Sequence, residues 1–146
     1  MLNNSIPVLL ATVIIFTSCS VMCSKKPKLT HTVWRAETKI FVADAGTQTS
    51  TYTLYFLPGK KFRLNTKSIL PSHPAMYMNP DGTMDMEPER NSEWDWEGTY
   101  SYKGDTLILS VQEDDFTLRL HYMGDSFESS DLMGDQPGHF TQITHP

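Results

Sequence analysis

Four of the chain's eight methionines lie in the short stretch MYMNPDGTMDM, on both sides of a strong turn signal, NPDG. They are Met76, Met78, Met84 and Met86. A hairpin here would bring the two pairs to face each other, with their thioethers on one side. Thioethers are soft ligands that select Cu(I) or Ag(I), and the nearby His73 could complete such a metal site. The alternative is that these methionines are flexible gap-fillers on a loop that closes the mouth of a barrel.

Three carboxylates follow at every second position, at Glu93, Asp95 and Glu97. On a strand such residues point to one side and lie about 7 Å apart in succession, a separation that could suit a pair of glycosidase carboxylates. The same pattern is typical of the solvated outer face of a strand. The sequence shows no nucleophile elbow, no phosphate-binding glycine loop and no histidines at ligand spacing. We therefore expect a protein without catalytic activity and without a cofactor.

Large aromatic side chains form the stronger candidate site. Trp94, Trp96, Tyr100 and Tyr102 share one parity, opposite to that of the carboxylates, which predicts an aromatic inner face. Rings with polar tips inside a β-barrel bind flat or apolar small molecules. The predicted ligand-binding residues are Trp94, Trp96, Tyr100, Tyr102, Tyr52, Phe56 and Phe62. In the alternative, these rings fill a solid core and the protein interacts through its loops.

The elements that position these residues are predicted to be strands throughout. Apolar and polar residues alternate with period two, and the strands are separated by turns such as Lys103-Gly104-Asp105. The clearest predicted strands cover residues 33–42, 52–56, 62–64, 94–102, 107–111, 116–122 and 139–143. Eight or more short strands predict an all-β fold, and we favour a small antiparallel meander β-barrel because closure removes exposed edges. Gly98 is predicted to mark a bulge or a close approach.

The strand pattern resembles the lipocalin-like domains of small secreted and lipid-anchored envelope proteins of Bacteroides-type bacteria. The resemblance rests on Trp34 in the first strand, on WEGTYSYKGDTLIL in the middle and on Phe140 in the short last strand. It implies a barrel with Trp34 at its floor. The methionine pairs with His73 are also reminiscent of periplasmic copper and silver chaperones, which are small β-barrels as well.

The N-terminus has the character of an export signal. Residues 6–23 contain no charged side chain, and their apolar run suits a secretory signal better than a full membrane span. Phe16-Thr17-Ser18-Cys19 resembles the lipobox of bacterial lipoproteins, which implies cleavage before Cys19 and a lipid anchor on its thiol. A plain secretory signal, an uncleaved anchor and a Cys19–Cys23 disulfide are the alternatives.

These patterns predict a signal peptide over residues 1–18, a basic tether over 19–29 and a barrel domain over 30–146. The net charge of -5 without a clustered basic stripe argues against nucleic-acid binding. In the Bacteroides-type lipoproteins that this segment resembles, acidic residues just after the cysteine accompany export to the cell surface. Lysines follow Cys19 here instead, so the resemblance implies a bacterial envelope protein that faces the periplasm. The expected function is the binding of a small apolar or aromatic molecule. A Cu(I)/Ag(I) carrier and a structural lipoprotein with a filled core are the alternatives.

Overall fold

Ten strands form where the sequence alternates between apolar and polar residues. The computed structural model describes residues 25–113 and 115–143, and the predicted signal peptide and Cys19 lie outside these residues. The strands are β1 (Val33–Val42), β2 (Gly46–Leu57), β3 (Lys61–Leu70), β4 (His73–Met78), β5 (Met84–Glu87), β6 (Arg90–Lys103), β7 (Thr106–Val111), β8 (Thr117–Tyr122), β9 (Ser126–Ser129) and β10 (Gly138–Ile143). A 3-10 turn at Pro58–Lys60 joins β2 to β3.

Eight of these strands close into an antiparallel barrel in the order β1-β10-β9-β8-β7-β6-β3-β2. Closure occurs between the first and last strands, where Val33 lies opposite Ile143. The remaining two strands, β4 and β5, form a separate hairpin between β3 and β6. The all-β meander barrel predicted from the sequence is confirmed.

One end of the barrel, which we call the closed end, is filled with side chains. Trp34 is buried there at the start of β1, and its ring packs edge-on against Phe127 with centroids 4.9 Å apart. The Trp34 Nε1–H donates a hydrogen bond of 2.8 Å to Thr32 Oγ1. The indole is therefore both buried and paired, as a buried tryptophan requires.

The end of the predicted tether belongs to the closed end. Leu29 is only 3% exposed and packs into the hydrophobic core. Its carbonyl accepts the Thr32 N–H at 2.9 Å, and the His31 N–H donates to the Phe56 carbonyl at 2.9 Å. The barrel domain thus includes Leu29, and the chain arrives from the N-terminus beneath the closed end.

The opposite end, the open end, is polar inside. Thr38, Ser50 and Ser68 lie on adjacent strands and are buried, and the Ser50 and Ser68 hydroxyls are 2.7 Å apart. The β9–β10 loop covers part of this end, because Thr38 Oγ1 donates to the Met133 carbonyl and the Asp135 N–H donates to the Lys39 carbonyl at 2.8 Å. The interior of the barrel therefore changes along its axis, from apolar side chains at the closed end to hydroxyl groups at the open end.

Gly98 is the close approach that the sequence predicted. A Cβ atom at this position would lie 1.9 Å from the carbonyl oxygen of Ser110 and 2.9 Å from Cε1 of Phe62. Only a residue without a side chain allows β6 to come this near to β7. Gly98 is also the residue at which the pairing of β6 with β7 stops, opposite Val111.

Candidate functional site

The barrel wall has an opening beside β6, because β6 is much longer than β7. Residues 90–99 of β6 all pair with β3 on one side. On the other side, pairing with β7 covers only residues 98–103. On the N-terminal side of Gly98, β6 no longer pairs with β7. One hydrogen bond of 3.3 Å, from the Gln112 N–H to the Glu97 carbonyl, continues the contact there. Trp94 and Trp96 lie on this diverging part of β6.

A cavity of about 430 Å³ lies behind this opening. It is lined by Tyr52, Leu64, Thr66, Ser68, Trp94, Trp96, Phe116, Leu118, Asp131, Leu132 and Met133. The rings of Trp96 and Phe116 lie at the opening with centroids 6.3 Å apart. This volume and this largely apolar lining match those of sites that hold small molecules in proteins.

The strand register explains why these residues share one wall. Trp94 lies directly opposite Thr66, and Thr66 lies opposite Tyr52 on the next strand. In the same way Trp96 lies opposite Leu64. Residues directly opposite each other on neighbouring strands point to the same face of the sheet. The cavity wall is therefore built from two adjacent rows of the barrel, above the apolar filling of the closed end.

Two polar groups in this lining stand out. The Thr66 side chain is 3% exposed, and its Oγ1 finds no hydrogen-bond partner among the described residues. At the rim, Oδ2 of Asp131 accepts the backbone N–H of Arg119 at 2.9 Å. The Arg119 guanidinium lies on the outside, with Nη1 3.8 Å from the same oxygen. The cavity thus combines aromatic walls with a buried hydroxyl and a carboxylate.

The structure brings together three of the seven predicted aromatic residues, Tyr52, Trp94 and Trp96, in the cavity lining. Phe56 and Phe62 are buried in the core of the closed end. Tyr100 packs edge-on against Phe56, with centroids 5.0 Å apart. The lining also contains Phe116, whose inward parity the sequence showed, and Asp131–Met133, which belong to a loop without periodicity.

Tyr102 lies away from the cavity, near the tether. The ammonium of Lys26 is 4.8 Å from the centroid of its ring. Burial, with a smaller effect from Tyr100 and Tyr122, raises the pKa of Tyr102 to about 12. Its hydroxyl has no hydrogen-bond partner among the described residues. Ionisation of this phenol is therefore opposed by the fold.

The three carboxylates of β6 lie on the outer face and are exposed. Lys67 Nζ is 3.3 Å from Glu93 Oε1. Asn65 Nδ2 donates both to Glu93, at 2.8 Å, and to Asp95, at 3.1 Å. Hydrogen bonds from Asn65 and Lys67 lower the pKa of Glu93. These contacts make Glu93 and Asp95 part of a solvated cross-strand network between β3 and β6.

The methionines lie on the β4–β5 hairpin, and all four are exposed. Met78 lies directly opposite Met84, as the predicted hairpin requires. The second expected couple does not form, because Pro74 rather than Met76 lies opposite Met86, after an irregularity in the register. Proline has no N–H for a regular ladder, which fits such a break. His73 Nδ1 is 3.0 Å from the Pro71 carbonyl oxygen.

No family model, no curated protein and no solved structure matches this chain. Within residues 25–113 and 115–143, no group of three or more His, Cys, Asp or Glu side chains is arranged to hold a metal ion. The same residues include no helix that is long and apolar enough to cross a membrane.

Proposed function

We propose that this protein is a non-catalytic binding protein of the bacterial cell envelope, anchored by a lipid on Cys19 and facing the periplasm. Its ligand is a small apolar or aromatic molecule. The observation that carries this proposal is the aromatic cavity of about 430 Å³ behind the opening beside β6. Eight-stranded barrels are wide enough to hold one small ligand when side chains do not fill them completely.

The distribution of side chains along the barrel supports a binding role over a purely structural one. The closed end has a packed core that includes Trp34, Phe56 and Phe62. The cavity lies above this core, where Trp94 is 47% exposed although it has the inward parity of β6. A large ring that a fold leaves half exposed at a cavity is available to a ligand. A barrel with a filled core would bury this ring instead.

The position of the tether supports a defined orientation of the binding site. Leu29 packs into the closed end, whereas the cavity lies towards the open end. Lys25 lies six positions after Cys19, a distance of about 20 Å at full extension. A lipid on Cys19 would therefore hold the closed end near the membrane surface and direct the open end away from it.

The binding role is tested by calorimetric titration of the purified protein with 3-ethylindole, a small neutral aromatic probe. Trp96→Ala removes one ring at the opening and should weaken binding at least about 10-fold. The reason is that the probe loses both its stacking on the Trp96 ring and the apolar area that this ring covers. Tyr77→Ala is the control, since Tyr77 is an exposed aromatic residue of the β4–β5 hairpin outside the cavity. Equal affinities of the two variants would contradict the proposal.

A second candidate function is Cu(I) or Ag(I) binding by the hairpin, and the pairing of Met78 with Met84 favours it. Cross-strand residues in direct register bring their side chains within contact distance, as two thioether ligands of one soft metal ion need. Under this hypothesis the Met78→Leu/Met84→Leu variant loses Cu(I) in a competition titration with a chromogenic chelator. Met123→Leu, another exposed methionine, should retain it. Equal retention by both variants would exclude the hairpin site.

A further inference from the structure

The charges around the cavity indicate which small molecules it accepts, and this inference rests on the proposed binding function. Asp131 is the one charged side chain among the described residues that line the cavity, and the lining contains no Lys, Arg or His. An anionic ligand would lose its hydration without gaining a cationic partner, and it would lie near a carboxylate. Both effects are unfavourable in a partly enclosed site.

The aromatic walls favour the opposite charge. Tyr52, Trp94, Trp96 and Phe116 contribute four rings to one cavity. The face of an aromatic ring carries the negative part of its quadrupole, and indole attracts cations more strongly than phenol or benzene. Two of the four rings here are indoles. A cation in this cavity would therefore be attracted by the ring faces and by Asp131 together.

Asp131 is held in place at the rim by backbone contacts. Its N–H donates to Ser129 Oγ at 3.2 Å, and its Oδ2 accepts the Arg119 N–H. The Asp131 side chain is 28% exposed and the Arg119 side chain is 62% exposed, with Arg119 Nη1 3.8 Å from Asp131 Oδ2. An ion pair this exposed is weak, so Arg119 leaves much of the carboxylate's negative potential in place. Oδ1 accepts no hydrogen bond from the described residues.

Thr66 supplies a second, independent indication of a ligand. Its hydroxyl is buried in the cavity wall, and no side chain or backbone group in the described part of the chain pairs with it. A buried hydroxyl left unpaired costs about 1–3 kcal/mol. A hydroxyl can both donate and accept a hydrogen bond. A ligand with a polar atom on its apolar body could satisfy Thr66, while its charged group lies at the rim beside Asp131.

We propose that the cavity binds an organic cation, namely a protonated amine on a flat, mainly apolar body. The amine lies beside Asp131, the body lies among Tyr52, Trp94, Trp96 and Phe116, and a polar atom of the body hydrogen-bonds with Thr66. This assignment deepens the proposed function by specifying the charge of the ligand. A cavity that binds fatty acids or other carboxylates would be expected to offer a basic residue to the carboxylate, and the described lining of this cavity contains none.

The test uses three probes with the same indole body in calorimetric titrations at pH 7. Tryptamine carries a positive charge, 3-ethylindole is neutral and indole-3-propionate carries a negative charge. We expect tryptamine to bind at least about 10-fold more tightly than indole-3-propionate, with 3-ethylindole between them, since a partly desolvated charge next to aromatic faces and a carboxylate gains this much.

Two variants locate the origin of this order. Asp131→Asn keeps an oxygen that can accept the Arg119 N–H but removes the charge, so the ratio of tryptamine to indole-3-propionate affinity should fall several-fold, to the smaller preference for a cation that the ring faces alone provide. Asp135→Asn is the control, because Asp135 lies in the same loop, accepts the Phe41 N–H at 3.0 Å and does not line the cavity. Thr66→Val should weaken all three probes by a similar factor and leave their order unchanged.

The possible outcomes separate the two proposals. Equal binding of the three probes, a preference for the anion, or a preference for the cation that is as large in Asp131→Asn as in the unmodified protein would overturn the assignment to an amine and leave the binding function intact. Failure of all three probes to bind would contradict the binding function itself. The expected order, clearly weakened in Asp131→Asn and unchanged in Asp135→Asn, supports both.

Discussion

Thr66 on β3 lies directly opposite Trp94 on β6, so a buried hydroxyl with no hydrogen-bond partner in residues 25–113 and 115–143 lies beside a tryptophan that is 47% exposed. Neither residue suits the stability of an isolated barrel, because one leaves a polar atom unsatisfied and the other leaves a large apolar ring in water. The ligand binding that we propose would account for their position in one row of the cavity wall.

The first prediction concerns the stability of a Thr66→Val variant. Valine has nearly the shape of threonine and removes the unpaired hydroxyl, so the free energy of unfolding of the ligand-free protein should rise by about 1 kcal/mol. Denaturation with urea measures this change. Ser50→Ala is the contrasting control, because its hydroxyl is paired with that of Ser68 and its loss should be destabilising. A lower stability for Thr66→Val would mean that its hydroxyl is satisfied after all.

The second prediction separates residues of the cavity from residues of the core. Phe62 is 1% exposed in the closed end, so Phe62→Ala should lower the free energy of unfolding by about 3–5 kcal/mol. Trp94→Ala removes a half-exposed ring and should cost about 1 kcal/mol or less, while weakening the binding of 3-ethylindole. Chemical denaturation and calorimetry of both variants check this. A Trp94→Ala variant as unstable as Phe62→Ala would identify Trp94 as a core residue.

The third prediction concerns the approach of β6 to β7. Gly98→Ala should lower the free energy of unfolding by about 2–4 kcal/mol, because the new methyl group collides with the Ser110 backbone and the Phe62 ring. Gly82→Ala is the control. It has open space around it, but its φ of +83° should cost about 1 kcal/mol. If Gly98→Ala costs no more than Gly82→Ala, the two strands are farther apart than the structure shows.

The fourth prediction concerns alkaline pH and Tyr102. The unfolded tyrosine loses its proton near its ordinary pKa of 10.0, whereas the folded one keeps it until about 12. The folded state therefore binds more protons in this window, and its stability should fall as the pH rises from 10 to 12. Below pH 10 the phenol is protonated in both the folded and the unfolded state, so this loss of stability does not occur there.

Tyr102→Phe removes this titration, so its stability should decline less steeply between pH 10 and 12. It should also be slightly more stable than the unmodified protein at pH 7, because the hydroxyl has no hydrogen-bond partner among the residues that the structure describes. Urea denaturation at pH 7, pH 10 and pH 12 measures both effects. Tyr77→Phe, at an exposed position, should behave like the unmodified protein. A parallel decline in all three proteins would show that Tyr102 ionises freely in the folded state.

Much of the fold could be predicted because the alternation of apolar and polar residues within each strand shows which face is buried. The alternation through Tyr52, Leu54 and Phe56 and the turn residues between strands were enough to predict a closed meander. Parity also separated the outward carboxylates of β6 from its inward rings. Gly98 was recognisable because a glycine inside a strand has few other reasons to be there.

The cavity could be predicted only in part. The alternation within a strand shows which side chains point inward, but it does not show where along the barrel axis each of them lies. Trp96 and Tyr100 share one face of β6, yet one lines the cavity and the other packs on Phe56. The difference arises from the register with β7, which ends at Gly98. Asp131 lies in a loop whose path depends on contacts with β1 and β8, which no local pattern encodes. The lipid on Cys19 and the envelope location stay predictions.

The most direct test of the binding function is native mass spectrometry of the full chain isolated from its own cells. A lipid on Cys19 would remain attached under denaturing conditions, so the mass difference between the native and the denatured protein reports only non-covalent ligands. We predict an organic mass of small-molecule size that is released on denaturation and is absent from a Trp96→Ala variant purified in the same way. Identical native and denatured masses for the unmodified protein would contradict the account.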